Sequence, residues 1–152
     1  VADRIAAFLE TRTPGHSGIG TTLAGSKIQL ALMRAVLETY FTQEAFAPLI
    51  ALAKKLEKGI ADVIIKHSLP WHVVRVGARV EFMCTPKPPR NGGEAAQMIH
   101  RPIDVALHHY LLNRGVIVTP FHNMMLICPA TTGAHVNRLV EGLDACVTEL
   151  MS

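Results

Sequence analysis

The amino-acid sequence predicts an α+β fold in which antiparallel strands are covered by helices. Two long segments, at about 26–40 and 42–67, carry apolar residues at helical spacing. Two β-rich runs follow at 72–76 and 79–84, where the period of the pattern changes. The later segments alternate between helix and short strand, so the predicted order of the main elements is α, α, β, β, α, β, β, α.

The first half of the chain is predicted to be helical. Residues 2–11 form a short helix that Thr13-Pro14-Gly15 ends. Ser26 suits the N-cap of the next helix, and Gln29 three residues later completes a capping box. The helix from Thr42 to about His67 contains a proline, Pro48, which predicts an irregular first turn. Its far face is interpreted as solvated surface and consists of Lys54, Lys55, Glu57 and Lys58.

The second half of the chain combines short strands with two helices. Gly77-Ala78 suits a two-residue hairpin turn between the β-rich runs. Residues 86–95 have turn chemistry throughout and predict a mobile loop. Pro102 suits the first turn of a helix that Gly115 ends, and Thr132 caps the last helix. Further short strands are predicted at 115–118 and 124–128, with a turn at 119–123 between them.

Composition limits the classes of function. The chain has 152 residues, of which 49% are hydrophobic and 18% charged, so it can build a sizeable core. The net charge of +3 is spread over the chain, and a nucleic-acid-binding protein needs a concentrated basic face. We therefore expect no nucleic-acid partner. No apolar run reaches the ~18 to 20 residues that a transmembrane helix needs, so we expect no membrane partner either.

The N-terminus and the cysteines bear on location. Charged residues interrupt the N-terminal segment, which argues against a secretory signal. The three cysteines are odd in number and far apart, which predicts reduced, buried thiols in a cytoplasmic protein. The chain begins at Val1 without an initiator methionine, and we expect it to be a fragment of a longer protein. The cysteines are Cys84, Cys128 and Cys146.

The stretch from Gly18 to Ser26 is the best candidate for a binding motif. Its glycines let the backbone approach a ligand closely, and Thr21 and Thr22 supply hydroxyl donors for phosphate oxygens. The helix that follows adds free N–H groups and a positive dipole end. An ordinary flexible lead-in to a capped helix fits the same residues. No metal site is expected, because His108 and His109 are adjacent and diverge by about 100° on a helix.

Several motifs together resemble the C-terminal third of the class III aminotransferases, which are pyridoxal-phosphate enzymes of fold type I. The similarity is strongest to the branch that contains glutamate-1-semialdehyde aminomutase, and it spans about residues 15–150. Four blocks carry it, in the family's order: Gly20-Thr-Thr-Leu-Ala-Gly-Ser26, the hairpin Val74–Phe82, Leu111-Leu-Asn-Arg-Gly-Val116 with Thr119-Pro120, and Thr132 before the last helix.

The resemblance implies a function for the whole protein. It would be an aminotransferase that moves an amino group between an amino acid and a 2-oxo acid, or a 2,1-aminomutase of the glutamate-1-semialdehyde type. Thr22, together with Thr21, would contact the phosphate of pyridoxal 5′-phosphate in the active site of a second subunit, so the implied partners are a homodimer copy and a small-molecule amino donor. The Schiff-base lysine of the family lies upstream, so this chain holds no catalytic residue and alone should be inactive.

The resemblance also implies domain boundaries and the residues that contact the substrate. Residues 1–25 would be a lead-in from the large cofactor-binding domain, and 26–152 the small C-terminal domain. Phe121 and His122 are candidate substrate contacts, although a simple polar turn fits them as well. Leu126 stands near the position where the ornithine and 4-aminobutyrate branches have an arginine, which disfavours those substrates. A non-catalytic α+β ligand-binding module remains the alternative from another class.

Overall fold

The protein is described by a computed structural model that covers residues 2–11, 25–119 and 122–152. Within these ranges the chain forms six helices and one antiparallel sheet of three strands, so the predicted α+β fold is confirmed. The helices are α1 Ala2–Glu10, α2 Lys27–Thr39, α3 Gln43–Lys66, α4 Gly92–Gln97, α5 Arg101–Leu112 and α6 Gly133–Leu150, and the strands are β1 His72–Val76, β2 Arg79–Met83 and β3 Asn123–Leu126.

The chain divides into two compact units, residues 1–42 and 43–152. The first unit contains α1 and α2, and α2 has no buried residue although its sequence is largely apolar. Both helices begin and end within two residues of the prediction. The predicted capping box is wrong, because the Ser26 side chain makes no capping hydrogen bond. The Ser26 carbonyl accepts the first backbone hydrogen bond of the helix, from Leu30 N–H at 3.0 Å.

The long helix α3 is the centre of the second unit. It is helical through Pro48, so the predicted irregular turn is not observed. Pro48 has no backbone N–H and therefore removes one hydrogen bond from the helix. The packing of the following apolar residues against the sheet and α6 offsets this loss of stability. Gly59 allows the close approach of α6, since an added Cβ would lie 2.6 Å from a methyl group of Val140. The buried residues of α3 are Ala53, Leu56, Ile60 and Val63.

The sheet has the order β1-β2-β3, with both pairs antiparallel. Gly77 adopts a φ of +58° in the two-residue turn between β1 and β2, as a glycine there allows, so the predicted hairpin is confirmed. Successive side chains alternate between two faces. The packed sheet face lies against α3 and consists of Val73, Arg75, Val80, Phe82, Asn123 and Met125. The open sheet face consists of His72, Val74, Val76, Arg79, Glu81, Met83, Met124 and Leu126.

Two predictions in the second half need correction. The predicted loop 86–95 contains the start of α4, because the Asn91 side chain accepts a hydrogen bond from Glu94 N–H and caps that helix. The segment 115–118 is not a strand. Its Val118 carbonyl lies 2.5 Å from Nδ1 of His108, so α5 rather than a neighbouring strand takes up this backbone group.

The predicted start and end of α5 and the predicted start of α6 are confirmed. Pro102 lies in the first turn of α5, and Gly115 follows the end of that helix with a φ of +75°. Thr132 caps α6 through a reciprocal pair of hydrogen bonds with His135. Among the described residues, no helix is long and apolar enough to cross a membrane.

Candidate functional site

The structure describes only one of the four predicted contact residues. Thr21, Thr22 and Phe121 lie outside the described residues, and His122 lies immediately before β3. The phosphate-binding role of the two threonines and the substrate role of Phe121 and His122 therefore stay predictions. The surroundings of His122 are well described and define the candidate site.

The backbone around His122 is held by a neighbouring hydroxyl. Thr119 donates a short hydrogen bond from Oγ1 to the carbonyl oxygen of His122. Nδ1 of His122 is buried and lies 3.6 Å from Oε1 of Glu81 on β2, which is ion-pair distance rather than hydrogen-bond distance. About a third of the His122 side chain stays exposed. These contacts place the imidazole beside the open sheet face.

A buried polar pair fixes the next residue. Nδ2 of Asn123 donates a hydrogen bond of 3.1 Å to Oδ1 of Asp104, and both side chains are buried. Asp104 lies in the first turn of α5, where the positive end of the helix dipole favours a carboxylate. Burial, and then the charge of Asp104, raise the pKa of the Cys84 thiol to about 12. The start of β3, which directly follows His122, is thus anchored to α5.

The open sheet face carries an ion pair next to this turn. Nη2 of Arg79 donates to Oε2 of Glu81 at 2.8 Å, and the two residues are two positions apart on the same strand. Arg79 pairs across the sheet with Leu126, and Glu81 pairs with Met124. The Glu81 carboxylate therefore lies between the Arg79 guanidinium and the His122 imidazole, on a face whose other side chains are apolar apart from His72. Such a group can orient a small charged molecule by hydrogen bonds and charge.

A cavity of about 600 Å³ lies on the outer side of β3. It is bounded by the segment 115–119, by β3 and by the start of α6. Its lining is mainly apolar and includes Thr119, the residue that donates to the His122 carbonyl. Among the described residues, no group of three or more histidine, cysteine or acidic side chains is arranged to hold a metal ion.

Sequence reasoning missed Arg79, Glu81 and Asp104 as members of this site. The alternation in Arg79-Val80-Glu81-Phe82 was the available signal, because it places the charges on one face and the apolar side chains on the other. The proximity of Glu81 to His122 depends on the pairing of β2 with β3, which a local pattern does not give. The expectation of buried thiols is wrong for Cys128, which is exposed, because it follows the end of β3 in a surface turn.

Comparison with known proteins gives one extensive match. The chain is similar to a glutamate-1-semialdehyde aminomutase from Pseudomonas aeruginosa PAO1, with a TM-score of 0.82 and 46% identity over 98% of this chain. The aligned region is 34% of that protein, so the chain spans about a third of its length. One of the two structures of that relative was solved in complex with PMP. No protein-family model matches the chain.

Two further relatives are more distant. A glutamate-1-semialdehyde 2,1-aminomutase from Chlamydia abortus is 29% identical over 99 residues, which are 65% of this chain and 22% of that protein. A β-phenylalanine aminotransferase from Variovorax paradoxus shares the fold, with a TM-score of 0.72 and 20% identity over 98% of this chain and 34% of that one. The resemblance predicted from the sequence is thus confirmed, and the chain matches the C-terminal part of the class III pyridoxal-phosphate-dependent aminotransferases, in their glutamate-1-semialdehyde aminomutase-like branch.

Proposed function

We propose that this chain is the C-terminal part of a pyridoxal-phosphate-dependent enzyme that moves an amino group. The observation that carries the proposal is the 46% identity, over 98% of the chain, to a glutamate-1-semialdehyde aminomutase. That relative favours the intramolecular 2,1-aminomutase reaction. Transfer between an amino acid and a 2-oxo acid is the second candidate, because an aminotransferase shares the fold. Pyridoxal phosphate, when bound, supplies the electron sink that both reactions need.

The start of α2 supports a phosphate-binding role for the preceding loop. The first turn of α2 contains no acidic residue, and the Ser26 hydroxyl makes no capping hydrogen bond. Within the described part of the chain, the Ser26 side chain thus leaves the first N–H groups of this helix uncapped, and a helix start of this kind favours an anion. In the proposal, Thr22 donates to the cofactor phosphate with Thr21 beside it, residues 1–25 lead in from the large domain, and residues 26–152 form the small domain.

The partners and location are also proposals. A second copy of the protein would complete the cofactor site, because the resemblance assigns the threonine loop to the neighbouring subunit's site. The amino donor would be a small molecule that reaches His122 and Phe121 from the small-domain side. We expect the enzyme to work in the cytoplasm, and the isolated 152-residue chain to be inactive.

The role of Thr22 is tested in the full-length protein. Loss of one hydrogen bond to a charged group costs about 1.5 to 3 kcal/mol, so Thr22→Ala should weaken cofactor affinity roughly 10- to 150-fold. Retention of the cofactor absorbance after dilution and gel filtration measures this. Thr148→Ala is the matched control, since Thr148 is an exposed threonine on α6 whose hydroxyl bonds only the Asp144 carbonyl among the described contacts. Equal retention by Thr22→Ala and the control would contradict the assignment.

The two reactions are separated by their need for an acceptor. An aminomutase converts its substrate without an added 2-oxo acid, whereas an aminotransferase stops after one turnover of its bound cofactor. The full-length protein should therefore be incubated with glutamate-1-semialdehyde, with and without 2-oxoglutarate, and its product followed over many turnovers. Sustained turnover without the acceptor supports the aminomutase, and strict dependence on the acceptor supports the aminotransferase. A protein that neither binds the cofactor nor converts an amino compound would refute both.

A further inference from the structure

β3 forms one edge of the three-stranded sheet, because it pairs with β2 alone. A backbone hydrogen bond from Ile127 N–H to the Ala78 carbonyl shows which of its backbone groups face β2. Since the backbone groups of successive residues in a strand point to opposite sides, those of Met124 and Leu126 point away from β2. Within the described part of the chain, these outward N–H and carbonyl groups have no hydrogen-bond partner.

A second stretch of backbone without a sheet partner borders the same cavity as β3. The segment 115–118 belongs to no strand. Its Val118 carbonyl is taken up by the side chain of His108, whereas the backbone groups of Ile117 have no hydrogen-bond partner among the described residues. This segment and β3 both line the cavity of about 600 Å³, and the start of α6 lines it as well. The cavity is therefore bordered by two stretches of backbone whose hydrogen-bonding groups are left over.

The side chains around this cavity indicate what kind of segment fits it. β3 contains no lysine and no proline, the residues with which natural proteins commonly protect an open sheet edge. Leu126 and Ile117 are 66% and 83% exposed, so apolar side chains flank the cavity on both sides. The ionisable residues of the lining are His108, His135 and Arg138, and none of the lining residues is acidic. An extended segment that is mainly apolar and directs no basic side chain into the cavity matches this lining.

The surroundings of the β3 edge favour a strand of the same polypeptide over the β3 of a second copy. Two identical edges pair about a two-fold axis only where both are freely accessible. The segment 115–119 and the start of α6 border this edge, so two copies would bring these elements into collision. The aligned region is 34% of the Pseudomonas aeruginosa relative, so about two thirds of a polypeptide of that length lies outside this chain. A single extended segment from that part can enter the cavity without such a collision.

We propose that the outer edge of β3 binds an extended segment from the upstream part of the same polypeptide, which becomes a fourth strand of the sheet. The backbone of this segment pairs with Met124 and Leu126, and its side chains enter the cavity towards Ile117 and Leu139. Because β3 begins directly after His122, the added strand also fixes the backbone of the candidate site. The inference rests on the part of the proposed function that makes this chain one piece of a longer protein, and it does not depend on the amino-group chemistry.

Hydrogen exchange of the full-length protein tests the pairing. Mass spectrometry with electron-transfer fragmentation resolves single amides, and the amide of Met125, which faces β2, is the internal reference. The amides of Met124 and Leu126 should exchange at least about 100-fold more slowly than in an unfolded peptide, at every protein concentration. Exchange within about tenfold of the unfolded rate beside a protected Met125, or protection that is lost on dilution, would overturn the inference. The cofactor absorbance of the same sample tests the proposed function separately, since its absence would contradict that function without changing the exchange result.

A photo-crosslink identifies the segment that occupies the cavity. p-Benzoylphenylalanine replaces Leu126 in the full-length protein, and an equal mixture of 14N- and 15N-labelled protein distinguishes links within one polypeptide from links between copies. Position 126 should link to residues upstream of this chain in the same polypeptide. Val74 is the matched control position, because it lies on the same sheet face but on β1, and it should not link to the same segment. Links between copies, or links only to residues of this chain, would overturn the inference.

A proline at position 126 tests the outward N–H group itself. Proline is tolerated on an edge strand where the missing N–H faces solvent, so Leu126→Pro distinguishes a paired edge from an open one. Leu126→Ala is the matched control, since it trims the same side chain and keeps the N–H. Leu126→Pro should lower the melting temperature of the full-length protein by about 3 °C or more beyond the effect of Leu126→Ala. Equal melting temperatures of the two variants would overturn the inference.

Discussion

The two faces of the three-stranded sheet share the same backbone but have opposite environments. On the packed sheet face, Val80 is fully buried and Phe82 is 2% exposed, and both contact the core that α3 and α6 complete. On the open sheet face, Val76 and Leu126 are largely exposed. The comparison shows that neighbouring residues on β2 have different roles, because one side chain is buried in the core and the next lies on the open sheet face. Stability resides on the packed sheet face, which leaves the open sheet face free to carry charges beside His122.

Each face also has one arginine–glutamate pair, and the two pairs differ in what they connect. Nε of Arg75 donates to Oε2 of Glu57 at 2.7 Å and joins β1 to α3, so the pair bridges separate elements. Glu57 is therefore not the freely solvated residue that the helical pattern predicts. Arg79 and Glu81 lie on a single strand, and their pair joins no elements. The first pair therefore contributes to the packing of β1 on α3, whereas the second contributes little to the fold.

Phe82→Ala should have the largest effect on stability. Phe82 stacks on Trp71 with a centroid distance of 5.8 Å and fills the core, so its truncation leaves a cavity. Such truncations cost about 3 to 5 kcal/mol of the free energy of unfolding. Urea denaturation followed by circular dichroism measures this loss. A loss below 1 kcal/mol would contradict the assignment of Phe82 to the core.

The same substitution on the two faces provides the control. Val80→Ala should cost about 2 kcal/mol, since it removes two buried methyl groups and leaves a small cavity. Val76→Ala removes the same atoms from an exposed position and should change stability by no more than about 0.5 kcal/mol. Equal losses in the two variants would show that the open sheet face is covered in the folded protein.

Substitution of Glu57 and of Glu81 should lower the free energy of unfolding by different, smaller amounts. Glu57→Gln breaks a half-buried contact between α3 and β1 and should cost about 1 kcal/mol of unfolding free energy. Glu81→Gln removes the charge that faces Arg79 within β2 and His122 beside it, and should cost no more than about 0.5 kcal/mol because both contacts are partly exposed. Chemical denaturation of both variants at one pH measures the difference. A greater loss in Glu81→Gln would mean that the open-face pair supports the fold.

A structural feature can be predicted from the sequence when the interactions that form it connect residues close together in the chain. The hairpin and the cap at Thr132 are predictable because turn chemistry and capping act over two to four residues. The alternation of side chains along a strand predicts that Val80 and Phe82 lie on the same face of the sheet. The start of α4 at Gly92 was missed, since a glycine-rich stretch favours a turn unless a cap such as Asn91 takes effect.

The candidate site is less predictable than the fold because it is assembled from distant segments. Asp104 and Asn123 are 19 residues apart, and their hydrogen bond exists only once α5 packs beside β3. Glu81 and His122 meet for the same reason. His122 was recognised through its place after Thr119-Pro120 in the family resemblance, whereas nothing local marks Glu81 as its neighbour. The pairing of Arg79 with Leu126 depends on strand register, which a sequence motif does not contain.

Cys84 and Cys128, which follow the ends of β2 and β3, should differ in their reactivity towards alkylating reagents. This is the difference that we expect to have the smallest effect on stability. Burial, and then the charge of Asp104, raise the pKa of Cys84 from 9.0 to about 12. Hydrogen bonds from the Thr131 side chain and then the Ala130 backbone lower the pKa of the exposed Cys128. Because the thiolate is the reactive form, iodoacetamide at pH 7.5 should alkylate Cys128 first and Cys84 only after unfolding. Peptide mass spectrometry over a time course measures the order, and Cys128→Ala should abolish the fast phase.

The same shift predicts a dependence of stability on pH. The unfolded chain releases the Cys84 proton above about pH 9, while the folded chain retains it up to about pH 12. The contribution of this thiol is therefore fully present below pH 9 and is lost progressively as the pH rises towards 12. Cys84→Ala should reduce the decline in unfolding free energy between pH 9 and 10.5, whereas Cys128→Ala should not. An equally steep decline in Cys84→Ala would mean that Cys84 is not the thiol that the packed sheet face shields, and rapid alkylation of Cys84 in the folded protein would show the same.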